Sequence, residues 1–527
     1  MFFKNCNGKL FNKKFKILWI DDEIDLLKSH FIFLKSRGYI IQPCSNGREG
    51  ITVLENDKFD LVLLDENMPG LNGFETLSII KKTKPNLPVI MVTKNEEEKI
   101  IDDAIGSKVS DYLIKPVNPN QILHSLKKTL NQKNLVSEKA SNQYQKDFRK
   151  ISLDILSAGS FFEWVDIYKK IIYWKIELIE SENNSMLNIL ENQLKEANLV
   201  FGKFIKNNYL KWINSEDNSP TLSHNVFKNK IIPFVNNNNS TLLILIDNLR
   251  LDQWKILEPI ISKYYNVHQE ELYASILPTT TQYARNSFFA GLTPNQIKNK
   301  FPDLWIDDIQ KGNKNKYENE LLSKQLESLN FKDDFKYFKI TSLTDAKRMV
   351  LKLKELKKIK LNTIVYNFVD ILSHAKTEMN LIKELAFEDK GYLSLTFSWF
   401  KNSPLYELIR KASELKFKLI ITTDHGTINV TNPLEIIGNK ETSLNLRYKY
   451  GKGLKFHQKK VFEISDPINY KLPKDSHEDK YVFALENSYF IYPNKFNEYA
   501  KHFMNTYQHG GVSLQEMLIP LIKLSPR

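Results

Sequence analysis

The sequence predicts an α/β protein with two separate parallel sheets and an α-helical segment between them. Short apolar runs alternate with helical spacing over residues 15–130, and residues 131–225 carry long helical patterns with weak strand signals. After residue 226, apolar runs return, and several of them end at an aspartate. At roughly 100–200 residues per domain, a chain of 527 residues suggests three domains.

Composition excludes several classes of protein. The two cysteines, Cys6 and Cys44, are too few for a disulfide framework or a cysteine-based zinc site. No apolar run approaches the roughly 18 residues that span a bilayer, and the first residues lack the pattern of a signal peptide. We therefore expect a cytoplasmic protein without a membrane span. The formal net charge of +13 fits either a lysine-rich composition or the binding of phosphate groups.

Residues 15–130 alternate between strand and helix signals. The strand candidates are Phe15–Ile20, Leu61–Leu64, Pro88–Thr93 and Tyr112–Ile114. Helical spacing over Ile24–Arg37 ends at Gly38, which is typical of a helix C-cap. Because the strands are short and apolar throughout, we expect a doubly wound parallel sheet that is covered on both faces.

Charged and hydroxyl side chains follow the ends of these strands. Asp21 and Asp22 follow one strand, and Asp65, Thr93 and Lys115 close three others. The carboxyl ends of parallel strands meet at one edge of a sheet, and clustered carboxylates there favour Mg²⁺. A carboxylate beside Mg²⁺ can attack a phosphoryl group, while a lysine neutralises the product and a threonine bonds its oxygens. The pattern therefore predicts a phosphoacceptor pocket.

The motifs of this pocket occur in a fixed order along the first 130 residues. They are Ile20-Asp21-Asp22-Glu23, Asp65-Glu66-Asn67-Met68-Pro69-Gly70, Met91-Val92-Thr93 and Tyr112-Leu113-Ile114-Lys115-Pro116. This set resembles the receiver domain of two-component response regulators, which has a flavodoxin-like fold. The resemblance implies that Asp65 is phosphorylated, that Asp22, Asp65 and the backbone of Asn67 bind Mg²⁺ with help from Asp21, and that Thr93 and Tyr112 form the switch pair beside Lys115. Residues 1–14 are an extension that this family does not need, either an upstream start codon or a disordered tail.

The middle of the chain, residues 131–225, has a different character. Apolar residues recur at helical spacing over Phe161–Glu180 and again over Leu187–Phe204, while glycine is scarce. We expect an α-helical linker domain in the form of a small bundle.

Residues 226–527 return to an α/β pattern with acids at the strand ends. The strand candidates Thr241–Ile246, Asn362–Val369 and Lys418–Thr423 are followed by Asp247, Asp370 and Asp424. Three histidines accompany them: His374 lies four residues after Asp370, His425 follows Asp424, and His509 precedes two glycines. Three Asp and three His are enough for two divalent metals with nitrogen and oxygen ligands, which indicates Zn²⁺ or Mn²⁺. The loop Pro278–Thr281 adds hydroxyls, and a nearby metal lowers the pKa of a hydroxyl nucleophile.

These pieces also occur in a recognisable order. They are Ile246-Asp247-Asn248-Leu249-Arg250, Leu277-Pro278-Thr279-Thr280-Thr281, Asp370 with His374, Thr423-Asp424-His425-Gly426 and His509-Gly510-Gly511. The set resembles the PglZ branch of the alkaline phosphatase superfamily. The resemblance implies one zinc ion on Asp247, Thr281, Asp424 and His425 and a second on Asp370, His374 and His509. It makes Thr281 the nucleophile, with Thr280 as the alternative. Arg285 and Asn286 are candidates for contact with phosphate oxygens.

The segment Arg447–Lys455 interleaves cations with aromatic residues. Cations suit phosphates and tyrosine rings suit base stacking, so Arg447 and Lys452 are candidates for a substrate-binding loop. The alternative is an exposed basic hairpin.

A receiver, a helical linker and a PglZ-type domain in one chain together resemble the response regulators linked to type IX secretion. That resemblance implies phosphorylation by a sensor histidine kinase, dimerisation of the phosphorylated protein and contact with an alternative sigma factor. It also implies hydrolysis of phosphodiester bonds in cyclic or short linear oligonucleotides. We see no helix-turn-helix segment and therefore do not expect direct DNA binding.

Two other functions remain open from the sequence. The first is a regulator without catalysis, in which the metal site is structural and the phosphorylated dimer binds a sigma factor or secretion component. The second is a phosphomonoesterase or sulfatase, because the same metals serve these reactions.

Overall fold

The computed structural model describes residues 15–85, 87–93, 109–215, 217, 219–235, 239–308, 310, 312–367, 389–439 and 442–527, with the backbone alone at 131–139 and 459. Residues 1–14, Asp370 and His374 lie outside these ranges. The chain forms two compact units, which divide between Asn142 and Gln143. Within the described ranges, no helix combines the length and the apolar character needed to cross a membrane.

The first unit contains a five-stranded parallel sheet with the order β2-β1-β3-β4-β5. Its strands are β1 (Lys16–Ile20), β2 (Ile40–Cys44), β3 (Leu61–Asp65), β4 (Val89–Thr93) and β5 (Asp111–Ile114). Its helices are α1 (Lys28–Ser36, preceded by a 3₁₀ turn over Ile24–Leu27), α2 (Gly47–Asn56), α3 (Gly73–Thr83) and the start of α4 (Pro119–Ser157). The predicted doubly wound sheet is confirmed.

Alternation of side chains along the strands places a hydrophobic core on each face of this sheet. Ile17 and Leu63 pack into one core with Leu34 of α1 and Leu126 of α4. Leu18, Val62 and Leu64 point to the other face, where they pack with residues of α2 and α3. Successive residues of a strand face opposite sides, so a continuously apolar strand needs a cover on both.

Strand β2 was not among the predicted strands. Its sequence contains Gln42 and Pro43, which break the apolar pattern. The strand lies at the edge of the sheet, where a missing backbone N–H is tolerated.

Three helices make up the middle of the chain: α4, α5 (Phe161–Glu180) and α6 (Asn184–Asn214). A capping box between Ser160 and Glu163 starts α5. Aromatic contacts join α5 to α6, with the rings of Trp164 and Phe201 5.3 Å apart between centroids. The predicted helix over Phe161–Glu180 is present with the same bounds, and the second predicted helix is longer than expected. Helix α4 runs through the predicted domain boundary at residue 130, and α5 and α6 belong to the second compact unit, Gln143–Arg527.

The second unit is built on a six-stranded sheet with the order β7-β19-β10-β6-β9-β8. The three predicted strands are adjacent and parallel: β10 (Lys418–Thr422), β6 (Thr241–Ile246) and β9 (Leu361–Tyr366). The parallel strand β8 (Phe335–Ile340) lies at one edge. At the other side, β19 (Leu518–Pro526) runs antiparallel between β10 and β7 (Tyr265–Ala274).

The remaining strands of the described residues form three smaller sheets. They are β11 (Ile428–Val430) with β18 (Thr506–Gln508); β12 (Asn432–Ile437) between β14 (Lys455–Phe456) and β17 (Ser488–Ile491); and β16 (Lys480–Ala484) between β13 (Tyr448–Gly451) and β15 (Val461–Ile464). The further helices are α7 (Ile232–Val235), α8 (Leu251–Ile261), α9 (Asn286–Ala290), α10 (Pro294–Lys300), α11 (Glu318–Ser328), α12 (Leu343–Leu356), α13 (Asp389–Lys401), α14 (Pro404–Glu414), α15 (Phe496–Phe503) and α16 (Leu514–Met517).

Candidate functional site

Three aspartates meet at the carboxyl edge of the first sheet. Asp21, Asp22 and Asp65 each offer a carboxylate oxygen, and these oxygens lie within 4.8 Å of one another. Asp21 and Asp65 are buried, whereas Asp22 and Asn67 are exposed. Hard oxygen donors on an accessible edge suit Mg²⁺, which keeps several of its own waters when bound.

Lys115 bridges two of these carboxylates. Its Nζ lies 3.1 Å from Asp21 Oδ2 and 2.8 Å from Asp65 Oδ1. Burial raises the pKa of Asp65, and the negative charge of Asp21 adds to this effect against the opposing influence of Lys115. For Lys115, burial alone would lower the pKa, but the two carboxylates outweigh it and raise the pKa. The lysine is therefore charged and positioned to neutralise a group attached to Asp65.

The predicted switch pair lies on the two neighbouring strands. Thr93 is buried at the end of β4, and the backbone N–H of Lys115 donates to its carbonyl oxygen at 2.7 Å. Tyr112 on β5 is half-buried against the core that α2 and α3 cover. The structure thus brings together at one edge Asp21, Asp22, Asp65, Thr93 and Lys115, with Tyr112 on the adjacent strand.

A second acidic site lies at the carboxyl edge of the large sheet. Asp247 follows β6 and Asp424 follows the neighbouring parallel strand β10, so the two carboxylates meet. With His425 they offer three donor atoms within 4.8 Å of one another, and all three side chains are buried. The hydroxyl of Thr281 lies 3.1 Å from His425 Nε2.

The spacing of these donors is close to that around a single tetrahedral metal ion. His425 Nε2 lies 3.5 Å from Asp424 Oδ2 and 3.9 Å from Asp247 Oδ1. Ligands about 2.0–2.1 Å from a tetrahedral zinc ion are roughly 3.3–3.4 Å apart, so these two distances are somewhat longer than in a closed tetrahedral site. The four residues Asp247, Thr281, Asp424 and His425 nevertheless offer nitrogen and oxygen donors that fit zinc.

Of the second predicted metal site, the structure describes His509. Its ring stacks on that of His425 with 4.3 Å between centroids, so the two histidines share one edge of the sheet. The other two residues predicted for this site, Asp370 and His374, lie outside the described residues.

Arg285 is inserted between the two carboxylates of the effector site. Its guanidinium forms an ion pair with Asp247, lies 3.0 Å from Asp424 Oδ2 through Nε, and lies 3.5 Å from Glu318 Oε1 through Nη1. Burial alone would lower its pKa, but Asp247 and Asp424 raise the pKa of Arg285 well above its usual range. In turn, Arg285 outweighs burial and lowers the pKa of Asp424. The side chain is fully buried, so it orients carboxylates rather than presenting its fork to a phosphate. Glu318 was not predicted, because its role depends on partners that are remote in the sequence.

The three consecutive threonines have different surroundings. Thr279 is fully buried, donates to Gly511 O at 2.9 Å and accepts from Gly510 N at 3.1 Å. The hydroxyl of Thr280 is buried and has no hydrogen-bond partner among the described residues. Thr281 is the half-exposed member of the three. Asn315, which sequence reasoning missed, donates to the carbonyl oxygen of Thr281 at 2.7 Å and so holds this residue in place.

Asn286 does not reach the site. It is buried, its amide nitrogen donates to Lys314 O at 3.1 Å, and its amide oxygen accepts from Asn315 at 3.1 Å. Both ends of its amide hold a neighbouring loop, so the structure gives no support to the predicted contact of Asn286 with phosphate oxygens.

The predicted substrate loop is largely a buried strand. Arg447 is fully buried and forms a bidentate pair with Glu516, at 3.1 Å through Nε and 2.6 Å through Nη2. Lys449 is also buried, and this burial lowers its pKa to about 8. The structure gives no support to a substrate contact by Arg447. Strand β13 is buried at the edge of a three-stranded sheet and is not an exposed hairpin. Lys452 is half-exposed in the turn that follows, and its contact with substrate remains a prediction.

Three family models match the chain. Residues 226–524 match the BREX system PglZ alkaline phosphatase-like domain, residues 134–213 match the PorX response regulator linker domain, and residues 17–127 match the response regulator receiver domain.

Individual relatives match the N-terminal part of the chain. A CpxR homolog of Haemophilus influenzae, a transcriptional regulatory protein, is 36% identical over 129 residues, which are 24% of this chain and 55% of the relative. The regulatory protein VanRc of Enterococcus gallinarum is 28% identical over 214 residues, 40% of this chain and 86% of the relative. A response regulator receiver domain structure from Clostridium thermocellum is 30% identical and covers 23% of this chain and 97% of its own, with a TM-score of 0.22. The chain spans about half the length of the first of these relatives.

Proposed function

Because this chain belongs to the PglZ family of alkaline phosphatase-like domains, we propose that it is a response regulator whose effector hydrolyses phosphodiester bonds. The substrates are cyclic or short linear oligonucleotides. The observation that carries the proposal is the Thr281 hydroxyl, half-exposed and 3.1 Å from His425 Nε2 beside two buried carboxylates. A nucleophile at the mouth of an otherwise buried donor set is what in-line displacement at phosphorus requires.

In this proposal the effector residues have separate tasks. Two zinc ions, or Mn²⁺, when bound, lower the pKa of the hydroxyl and stabilise charge on the phosphoryl oxygens. Asp247, Asp424 and His425 hold one of them together with Thr281, and His509 belongs to the second, with Asp370 and His374. Asn315 fixes the backbone of Thr281, and Arg285 fixes the two carboxylates.

The reaction proceeds in two displacements. Thr281 Oγ attacks phosphorus, and the bond from phosphorus to one ester oxygen breaks, releasing the first alcohol. Water then attacks the same phosphorus, the bond to Thr281 breaks, and the second product leaves as a phosphate monoester. Thr280 is the weaker candidate because it is buried, with 5% of the residue exposed.

The receiver regulates the effector in this proposal. A sensor histidine kinase phosphorylates Asp65, with Mg²⁺ on Asp21, Asp22, Asp65 and the backbone of Asn67. Thr93 and Tyr112 respond, and the phosphorylated protein dimerises in the cytoplasm. The match to the PorX response regulator linker domain supports a response-regulator role. We further propose a role in type IX secretion through an alternative sigma factor. The domains are a receiver at 15–130, a helical linker at 131–225 and an effector at 226–527.

Turnover of a chromogenic phosphodiester by the full chain, with and without Zn²⁺, tests the proposed function. Thr281→Val should reduce kcat by at least about 1000-fold, since the nucleophile is lost, and should leave zinc binding within about tenfold. The matched control Thr280→Val should retain turnover within about tenfold of the parent protein. Parent rates in Thr281→Val would exclude Thr281 as nucleophile. Two bound zinc ions without cleavage of any diester would instead favour a regulator that acts by binding alone.

A further inference from the structure

Lys175, on helix α5 of the linker segment, reaches the effector edge through a buried cluster of charges. Its Nζ lies 2.7 Å from Asp252 Oδ2 and also forms an ion pair with Asp389. Asp252 is the second residue of α8 and accepts two hydrogen bonds from Arg250, at 2.9 and 2.7 Å. Since Arg250 lies three residues after Asp247, Lys175 is tied to the turn that carries one of the metal-site carboxylates.

The same cluster also reaches the strand before His509. The hydroxyl of Tyr507 donates to Asp389, and the guanidinium of Arg250 lies over the Tyr507 ring, 4.8 Å from its centroid. Tyr507 is in β18, two residues before His509. One lysine of the linker segment therefore holds both the Asp247 turn and the His509 strand.

Asn198, on helix α6, makes an independent contact with the effector. Its Oδ1 accepts from Leu514 N at 2.8 Å, and its Nδ2 donates to Gln515 Oε1 at 3.0 Å, so it anchors the start of the short helix α16. Within that helix, Glu516 O accepts from Gly426 N at 3.3 Å, and Glu516 Oε1 accepts from Gly511 N at 2.9 Å.

The loops on both sides of α16 fit closely. A Cβ atom on Gly426 would lie 2.0 Å from Gln515 O, so the backbone beside His425 is pressed against the helix that Asn198 holds. A shift of α6 must therefore move the loops that carry His425 and His509.

The contacts of Lys175 and Asn198 with the effector are polar, although apolar contacts would stabilise the fold at least as well. Lys175 is 5% exposed and Asn198 is 1% exposed. The attraction within a buried ion pair is little larger than the free energy of removing the two charges from water. Such a pair therefore adds little to the stability of the fold, but it requires a defined geometry. Displacements of about 1 Å at a catalytic site cost about 100-fold in rate.

We propose that Lys175 and Asn198 are positioning residues through which helices α5 and α6 hold the loops of Asp247, His425 and His509. The linker segment is then part of the phosphodiesterase site and not a spacer. Movement of either helix changes the site directly. This inference rests on the proposed function and names the route of its regulation.

The test compares Lys175→Met and Asn198→Ala with matched controls on the same helices in the full chain. Lys170→Met removes a half-exposed pair with Asp154, and Asn208→Ala removes a bond to Phe204 O in its own helix. Zinc affinity, kcat and KM on a chromogenic diester, and hydrogen exchange of residues 424–430 and 506–512 are measured.

The two test variants should lower zinc affinity and kcat by about tenfold each, leave KM within about twofold, and speed exchange in both segments. The two controls should change none of these, and Lys175→Arg should recover part of the loss. A parent protein without diester turnover would defeat the proposed function, while the exchange measurement would still decide the positioning. Unchanged exchange, zinc affinity and kcat in folded test variants would overturn the positioning, even if their melting temperature falls.

Discussion

The receiver pocket and the effector site are two versions of one arrangement, in which acids at the ends of parallel strands enclose a single cation. In the receiver the cation is Lys115, whose side chain is 15% exposed, and Asp22 beside it is exposed. In the effector the cation is Arg285, and Arg285, Asp424 and His425 are fully buried. The solvent-accessible receiver pocket can exchange a phosphoryl group with a partner. The effector site, in contrast, keeps its buried carboxylates in a fixed geometry.

The choice of cation follows the same division. A lysine ammonium is a compact charge that can neutralise whatever group is added to Asp65. The guanidinium of Arg285 forms ion pairs with Asp247, Asp424 and Glu318 at the same time and so fixes their relative positions. Access to solvent and the type of cation together distinguish the receiver pocket from the effector site.

Removal of the acceptor carboxylate gives the largest expected effect. Asp65→Asn should abolish phosphorylation of the full chain by acetyl phosphate, because Asp65 is the buried acid that Lys115 contacts at 2.8 Å. Incorporation is measured with radiolabelled phosphoryl donor. The control Asp25→Asn alters an exposed acid that pairs with Lys28 outside the pocket and should change nothing. Full labelling of Asp65→Asn would remove the receiver site from the comparison.

Replacement of the Arg285 guanidinium by an ammonium group should give the next largest effect. Arg285→Lys should lower the zinc affinity of the effector by about 10–100-fold, because an ammonium cannot orient both carboxylates. Competition with a chromophoric chelator measures this. The control Arg410→Lys changes an exposed residue paired with Glu414. If zinc affinity stays constant while KM rises, Arg285 contacts the substrate after all.

The receiver lysine should matter less than the effector arginine. Lys115→Met should slow phosphorylation of Asp65 by about tenfold, which corresponds to the loss of one hydrogen bond to a charged group, roughly 1.5 kcal/mol. The rate with acetyl phosphate at saturating Mg²⁺ is the measurement. Lys128→Met, which removes a half-exposed pair with Asp111, is the control. A loss of phosphorylation as large as that of Asp65→Asn would contradict this ranking, because the receiver pocket would then need Lys115 as much as the effector site needs Arg285.

The smallest expected effect concerns stability and pH. Because the folded-state pKa of Asp65 is raised, the native state holds its proton more tightly, and stability falls as pH rises through that pKa. Without Mg²⁺, Asp65→Asn should therefore melt a few degrees above the parent protein at pH 7, with a smaller difference near pH 4. Calorimetric scans at the two pH values check this. A difference that grows towards low pH would contradict the direction of the shift.

Sequence patterns predicted the scaffold of both sites better than their surroundings. Strand β6 has the predicted bounds because a strand covered on both faces must be apolar throughout. Strand β2 escaped prediction because an edge strand accepts Gln42 and Pro43. The acids at the strand ends were found because parallel topology alone brings them together.

The predictions that the structure does not support concern residues whose partners are remote in the sequence. The local sequence around Arg447 resembles a substrate-binding segment. In the structure, Arg447 pairs inside the protein with Glu516, which is 69 residues away. Arg285 is 139 residues from Asp424, and local sequence cannot tell an arginine that orients carboxylates from one that binds phosphate. A charged residue can be assigned from its neighbours only when its partner is one of them.

The position of strand β19 has a consequence for the order of synthesis. Leu518–Pro526 lies inside the large sheet, between β7 and β10, so the six-stranded sheet cannot be completed until the ribosome has reached residue 526. All the strands of the receiver sheet are complete by Ile114. At 5–20 residues per second, the effector sheet is completed roughly 20 to 80 s after the receiver sheet. We therefore expect a nascent chain to complete its receiver sheet well before β7 is joined to the rest of the large sheet.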